Sequence, residues 1–217
     1  MSIGSVFKSS HQYEKTNKIS KLALNNALHL NSPSENINSI YIHVARSYYD
    51  LEEYDSSKYY FEKALNVLAS SDYYKNHINN YLTSIKVNEG KYIEAIEELN
   101  LLIKTFEMNQ DTINILLSLQ NILTPLKKID EIEDLNAHIE KIKLYIDNYT
   151  LSSEQLMSIH WVISQVLRQT NIKASEYHKN RAIFNMNEFI KMFNSVEDKN
   201  LLISNHKTIK EIKTFAN

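Results

Sequence analysis

The sequence predicts an all-α chain of helical hairpins stacked one on the next, and three observations carry that expectation. A two-part pattern recurs, clearest as Tyr41-x-x-Val44-Ala45-x-x-Tyr48 followed by Tyr54-x-x-Ser57-x-x-x-Phe61-x-x-Ala64-Leu65. The recurrence interval is about 37 to 43 residues, the range of helical-repeat arrays. Gly and Pro number only two each, which disfavours the tight hairpins and phosphate loops that lean on Gly. A single hairpin cannot bury both of its faces, so such copies stack and leave an interaction surface rather than a catalytic cleft.

Asn17-x-x-Ser20-x-x-x-Leu24-x-x-Ala27-Leu28 fits the second helix of an initial unit, over about residues 1–34, whose first helix around Val6 to Tyr13 is weakly patterned. The next unit, 35–71, opens at Ser32-Pro33-Ser34-Glu35, with Ser32 as cap, Pro33 at the first helical position and Glu35 reaching back. Its first helix carries Ile37, Ile40, Tyr41, Val44, Ala45 and Tyr48. Its second carries Tyr54, Tyr60, Phe61, Ala64, Leu65 and Leu68, and Ser70-Ser71-Asp72 closes it. Unit 72–109 holds Ile78, Tyr81, Leu82 and Ile85, turns at Gly90, and resumes at Tyr92-x-x-Ala95-x-x-x-Leu99-x-x-Leu102.

Unit 110–150 follows the polar break Asn109 to Thr112. Ile113, Leu116, Leu117, Leu119 and Leu123 line its first helix, Pro125 stops that helix, and Ile129-x-x-Ile132 opens the second. Ser152-Ser153-Glu154-Gln155 is a capping box that starts unit 152–193, with a turn at Thr170-Asn171 and a second helix from about Ile172 to Phe193. Ser195 to Asp198 caps a last helix, 196–215, that covers the final apolar face; Thr214 to Asn217 fray. The small residues Ala45, Ser57, Ala64 and Ala95 fall where helices approach closely, and Tyr48, Tyr54, Phe61 and Tyr92 fill wider gaps.

Composition narrows the function classes. At 217 residues the chain suffices for one domain with a continuous core. A net charge of −2 and a pI near 6.5 offer no bulk attraction to nucleic acid or anionic membrane. Zero Cys excludes disulfides, thiolate metal sites and cysteine nucleophiles, and fits a reducing, cytoplasmic setting. Met1 to Lys18 has no apolar run of the signal-peptide kind, and no run is long enough to span a membrane. No two of the eight His sit three or four apart, so no metal site is expected, and no cofactor either.

The quoted residues resemble the tetratricopeptide repeat (TPR) family. Tyr41, Val44, Ala45 and Tyr48 stand where its first helix carries an aromatic, Leu-Gly and Tyr; Ser57, Phe61 and Ala64 stand where its second carries Ala, an aromatic and Ala. Ala95, Leu99 and Leu102 match the second set in the next unit, and the other units match in hydrophobicity. The resemblance implies a right-handed TPR-like superhelix of four to five hairpins plus a C-terminal capping helix. Its stretched period looks like that of the peptide-pheromone-sensing regulators of Gram-positive bacteria. No helix-turn-helix segment precedes the repeats, so an output domain, transcriptional or phosphatase in type, would lie elsewhere.

In that family the first helix of each pair lines a concave groove. Carried over, the groove-facing positions are Ile42, Arg46 and Tyr49; His77, Asn80, Ser84 and Asn88; Asn114, Leu117, Ser118 and Asn121; and Met157, His160, Ser164 and Arg168. The repeated Asn would form a ladder of amides on an extended peptide, and Arg46 and Arg168 would hold a carboxylate. The lysines of the chaperone-tail subclass are absent from this face. Trp161 is expected in a core or groove wall, and Lys207-x-x-Lys210-x-x-Lys213 as a solvated stripe. The expected function is therefore a non-enzymatic module that binds a protein or peptide, and the alternatives are a piece of a pheromone-responsive regulator or a self-associating homodimer.

Overall fold

The computed structural model describes residues 13–67 and 72–216. The weak first helix expected before Tyr13, and the Leu68 to Ser71 junction, lie outside the described residues. Among the described residues there are eleven helices and no strand. They are α1 (Tyr13–His29), α2 (Ser34–Asp50), α3 (Tyr54–Val67), α4 (Asp72–Asn88), α5 (Tyr92–Met108), α6 (Thr112–Lys128), α7 (Ile132–Asn148), α8 (Ser153–Leu167), α9 (Ile172–Lys191), α10 (Val196–Asn205) and α11 (Lys207–Ala216). Helices neighbouring in sequence pack as pairs, α2 with α3, α6 with α7 and α8 with α9. No described helix is long and apolar enough to cross a membrane.

The chain forms two compact units, Met1–Ile85 and Lys86–Asn217. In the first, the core gathers Ile42 and Ala45 of α2, Phe61 and Ala64 of α3 and Ile78 of α4. Ala45, Ser57 and Ala64 have no exposed surface, as expected of small residues at a close helix approach. The buried Ser57 hydroxyl donates to the Ala45 carbonyl at 2.9 Å, which fastens α3 to α2. The same device recurs in the second unit, where the Ser175 hydroxyl of α9 donates to the Ser164 carbonyl of α8 at 2.8 Å. Ser57 and Ser175 each stand at the fourth position of their helix.

The second unit has two cores. One surrounds α6, whose Ile115, Leu116, Leu119, Ile122, Leu123 and Leu126 are buried among residues of α5, α7 and α8. The other joins Met157 and Trp161 of α8, Ala182, Met186 and Phe189 of α9, and Leu202, Ile209 and Ile212 of α10 and α11. The Trp161 indole N–H donates to Glu211 at 2.7 Å, so the lone Trp is buried with its polar end satisfied.

Five interhelix turns share one backbone motif. After α1, α2, α4, α5 and α6 a residue adopts positive φ: Asn31, Glu52, Gly90, Gln110 and Asp130. The next residue's N–H reaches back five residues, from Ser32 to Ala27, Glu53 to Tyr48, Lys91 to Lys86, Asp111 to Phe106 and Glu131 to Leu126. This is the Schellman closure, which satisfies carbonyls the helix leaves open. Only one of the five positions is Gly. A left-handed residue with a Cβ costs about 1 kcal/mol or more, so Glu52→Gly, Gln110→Gly and Asp130→Gly are each expected to raise stability by about 0.5–1 kcal/mol. Gly90→Ala is expected to cost about 1 kcal/mol from the backbone alone, because a Cβ at Gly90 meets no atom within 4 Å. Urea titration of the four single variants checks both signs.

Several local expectations are corrected. Ser32 does not cap α2: its N–H closes α1 on Ala27, and Pro33 is the cap, its carbonyl accepting from Asn36 and Ile37. Pro125 does not stop α6, which continues to Lys128 with Pro125 buried in its final turns. A proline loses only one helical N–H bond, and the apolar face around Leu123 and Leu126 holds the segment helical. Ile129 therefore belongs to the turn, and α7 starts at Ile132. Ile113 is exposed rather than core-lining. The C-terminal cap is two helices broken at His206, whose extended backbone brings its ring against Phe189 (5.9 Å between centroids). Thr214 and Phe215 remain helical. The capping box at Ser152 and Gln155 forms as read, with 3.2 and 2.9 Å bonds.

Candidate functional site

The first unit concentrates aromatic side chains around one arginine. Arg46 of α2 lies over the Tyr81 ring of α4 at 5.5 Å. Tyr49, one turn along α2, meets Tyr81 edge-on at 5.1 Å and Tyr54 at 5.7 Å, and His77 meets Tyr81 at 5.3 Å. Burial raises the Tyr49 and Tyr81 hydroxyls above the ordinary phenol range; a hydrogen bond to Ser84 opposes this at Tyr49, and the Arg46 charge opposes it at Tyr81. Both phenols are therefore neutral donors at neutral pH. Arg46, Tyr49 and His77 are half-buried.

The expected amide ladder is shorter than the sequence implied. Asn80 and Asn114 are 1% and 3% exposed. Asn114 is held by its helix's own cap: its backbone N–H and side-chain amide both donate to the carboxylate of the N-cap Asp111, at 3.2 and 2.7 Å. Ser84 and Ser118, one turn on, donate back to the Asn80 and Asn114 carbonyls at 2.9 and 2.8 Å, the usual pattern of a serine inside a helix. Ile42, Met157, His160 and Ser164 are also buried, which removes them from an open face. Asn88 and Arg168 are exposed, and Leu117 and Asn121 half-buried. The physical reason is shared: each first helix is flanked on more than one side, so its polar stripe meets the next helix rather than solvent.

In the second unit, His160 of α8 and His178 of α9 face each other with Nδ1 atoms 2.8 Å apart. At that distance one Nδ1 donates and the other accepts, which fixes opposite tautomers. Burial lowers both imidazoles to about 4; at His160 the partner ring and Arg181 add to the effect, and at His178 Lys143 adds while Glu140 opposes. The pair is neutral at neutral pH. Its sequence separation hid it, since the two residues sit on different helices.

A cleft of about 330 Å³ opens in the second unit between the C-terminal turns of α6 and α8. From α6 come Thr124, Lys127 and Lys128; from the end of α8 come Gln165, Val166, Arg168 and Gln169. Arg168 is held in place over Phe215 of α11, 5.0 Å from the ring centroid. Among the described residues no carboxylate lies within ion-pair distance of Lys127, Lys128 or Arg168. Elsewhere in the unit lysines are paired, as Lys86 is with both Glu94 and Glu98 at 2.6 Å and Lys141 with Glu107 at 2.6 Å. The sequence singles out Arg168 but not the two lysines, which look like ordinary last-turn charges until α8 brings Arg168 to the same cleft. Among the described residues no group of three or more His, Cys, Asp or Glu converges as for a metal ion.

Comparison with protein-family models gives no match, and comparison with curated proteins gives none.

Proposed function

We propose that the chain is a non-enzymatic protein- or peptide-binding module, a TPR-like right-handed superhelix serving as a regulatory adaptor in a bacterial cytoplasm. The observation that supports this reading is the cluster on α2 and α4: Arg46, Tyr49 and His77 around Tyr81, half-buried, on first helices of two successive hairpins. Aromatic faces take apolar side chains, and Arg46 takes a carboxylate.

Selection from a random peptide display library against the full chain tests the reading. Enriched peptides are expected to share a motif and to bind Arg46→Ala about 10-fold more weakly, the loss of a hydrogen bond to a charged group. Selection that enriches no motif, or a motif indifferent to Arg46→Ala, would count against it. Small-angle scattering of the free chain checks the superhelix separately.

A further inference from the structure

We propose that the cleft between the ends of α6 and α8 binds a phosphoryl dianion presented by a small molecule. The proposal uses the second unit alone and stands or falls independently of peptide binding on α2 and α4.

Charge is the first argument. Lys127, Lys128 and Arg168 line one cleft with no carboxylate partner among the described residues. Like charges repel, and only the partial negative ends of two helices offset these, so an anion between them is favourable. A carboxylate needs one cationic fork. Two ammonium groups, a guanidinium, the Thr124 hydroxyl and the amides of Gln165 and Gln169 offer more donors than a carboxylate uses, and suit a doubly charged group with three terminal oxygens.

The helix ends give the second argument. Cations in a last turn commonly serve the helix itself, by bonding open carbonyls. Here backbone N–H groups already cover several of these carbonyls. Asp130 and Glu131 close on Lys127 and Leu126 of α6, and Thr170 and Asn171 close on Leu167 of α8. The cationic ends are thus left for an outside acceptor. Size is the third argument: about 330 Å³ is at the lower end of small-ligand sites. Val166 supplies one apolar wall for the carbon part of such a ligand.

Calorimetry on the full chain at low ionic strength and pH 7.5 tests the assignment, with glycerol phosphate, inorganic phosphate, sulfate and acetate as probes. Saturable binding of a phosphate probe, at least 10-fold tighter than sulfate or acetate, is expected. Arg168→Gln and Lys127→Gln are each expected to weaken it about 10-fold, while Lys210→Gln, on the exposed stripe of α11, leaves it unchanged. Glycerol phosphate binding tighter than inorganic phosphate identifies an organic ester as the ligand; equal affinity identifies free phosphate. Binding is expected to weaken as pH falls below about 6, where the dianion takes up a proton. Three results would overturn the proposal: no saturable phosphate binding, equal weakening by Lys210→Gln, or a Lys127→Gln variant that melts lower in phosphate-free buffer yet keeps the full phosphate-induced shift in melting temperature.

Discussion

Lowering the pH from about 6.5 to about 4 is expected to destabilise the second unit steeply through His160 and His178. Both imidazoles titrate near 4 in the folded chain, below the 6.5 of a free histidine. As pH falls, the unfolded chain binds protons first. The stabilising effect is present in full above about 6.5 and is lost as pH falls through about 4. At 1.36 kcal/mol per pH unit, one such imidazole is worth about 3 kcal/mol over the window. The first proton leaves the Nδ1 contact intact, because an imidazolium can still donate to a neutral ring. The second puts donors on both nitrogens and forces the rings apart. Urea titrations from pH 7.5 to 4 should therefore show stability falling with a slope approaching two protons per molecule, and His178→Gln should remove about half of that slope, since burial alone still depresses His160. A variant whose pH profile tracks the parent would show that carboxylates elsewhere carry the acid sensitivity.

Phe61→Ala is expected to cost 3–5 kcal/mol, about what removal of a fully buried Phe costs, and to disrupt the first unit selectively. Phe61 has no exposed surface and stacks on Tyr81 at 5.3 Å, next to Ile42, Ala45, Ala64 and Ile78. That core is small, and the close packing set by Ala45, Ser57 and Ala64 leaves little to collapse into the void. Hydrogen exchange should show lost protection in α2 and α3 while α6 keeps its own. Equal loss in α6 would mean that the whole chain unfolds as one cooperative block.

Much of the fold was legible in the residues. Helix starts at Tyr54 and Tyr92 fall where the aromatic-x-x-small pattern put them, and Ser152 with Gln155 forms the box its spacing implied. What failed was tertiary. Pro125 reads locally as a stop, but flanking leucines bury the segment and hold it helical. Asn80 and Asn114 read as an open row because periodicity reports one buried stripe per helix, while these first helices are covered on more than one side. His160 and His178 share no local spacing, and Lys127 and Lys128 look like ordinary helix-end charges until α8 brings Arg168 beside them. Of the five left-handed positions, only Gly90 announces itself by residue type.

That last point bears on how such a chain can change over generations. The bend joining one rod to the next is written in backbone handedness, and Asn, Glu, Gly, Gln and Asp all satisfy it. Spelling at these joints drifts at a cost of about 1 kcal/mol per change, while rod length is held, since a single added residue would swing an oily side out by about a quarter-turn. Copying slips that insert or delete a whole rod pair between two joints are therefore the lengthening events this architecture tolerates, and kinship among such chains is better sought in the rhythm of their joints than in shared letters.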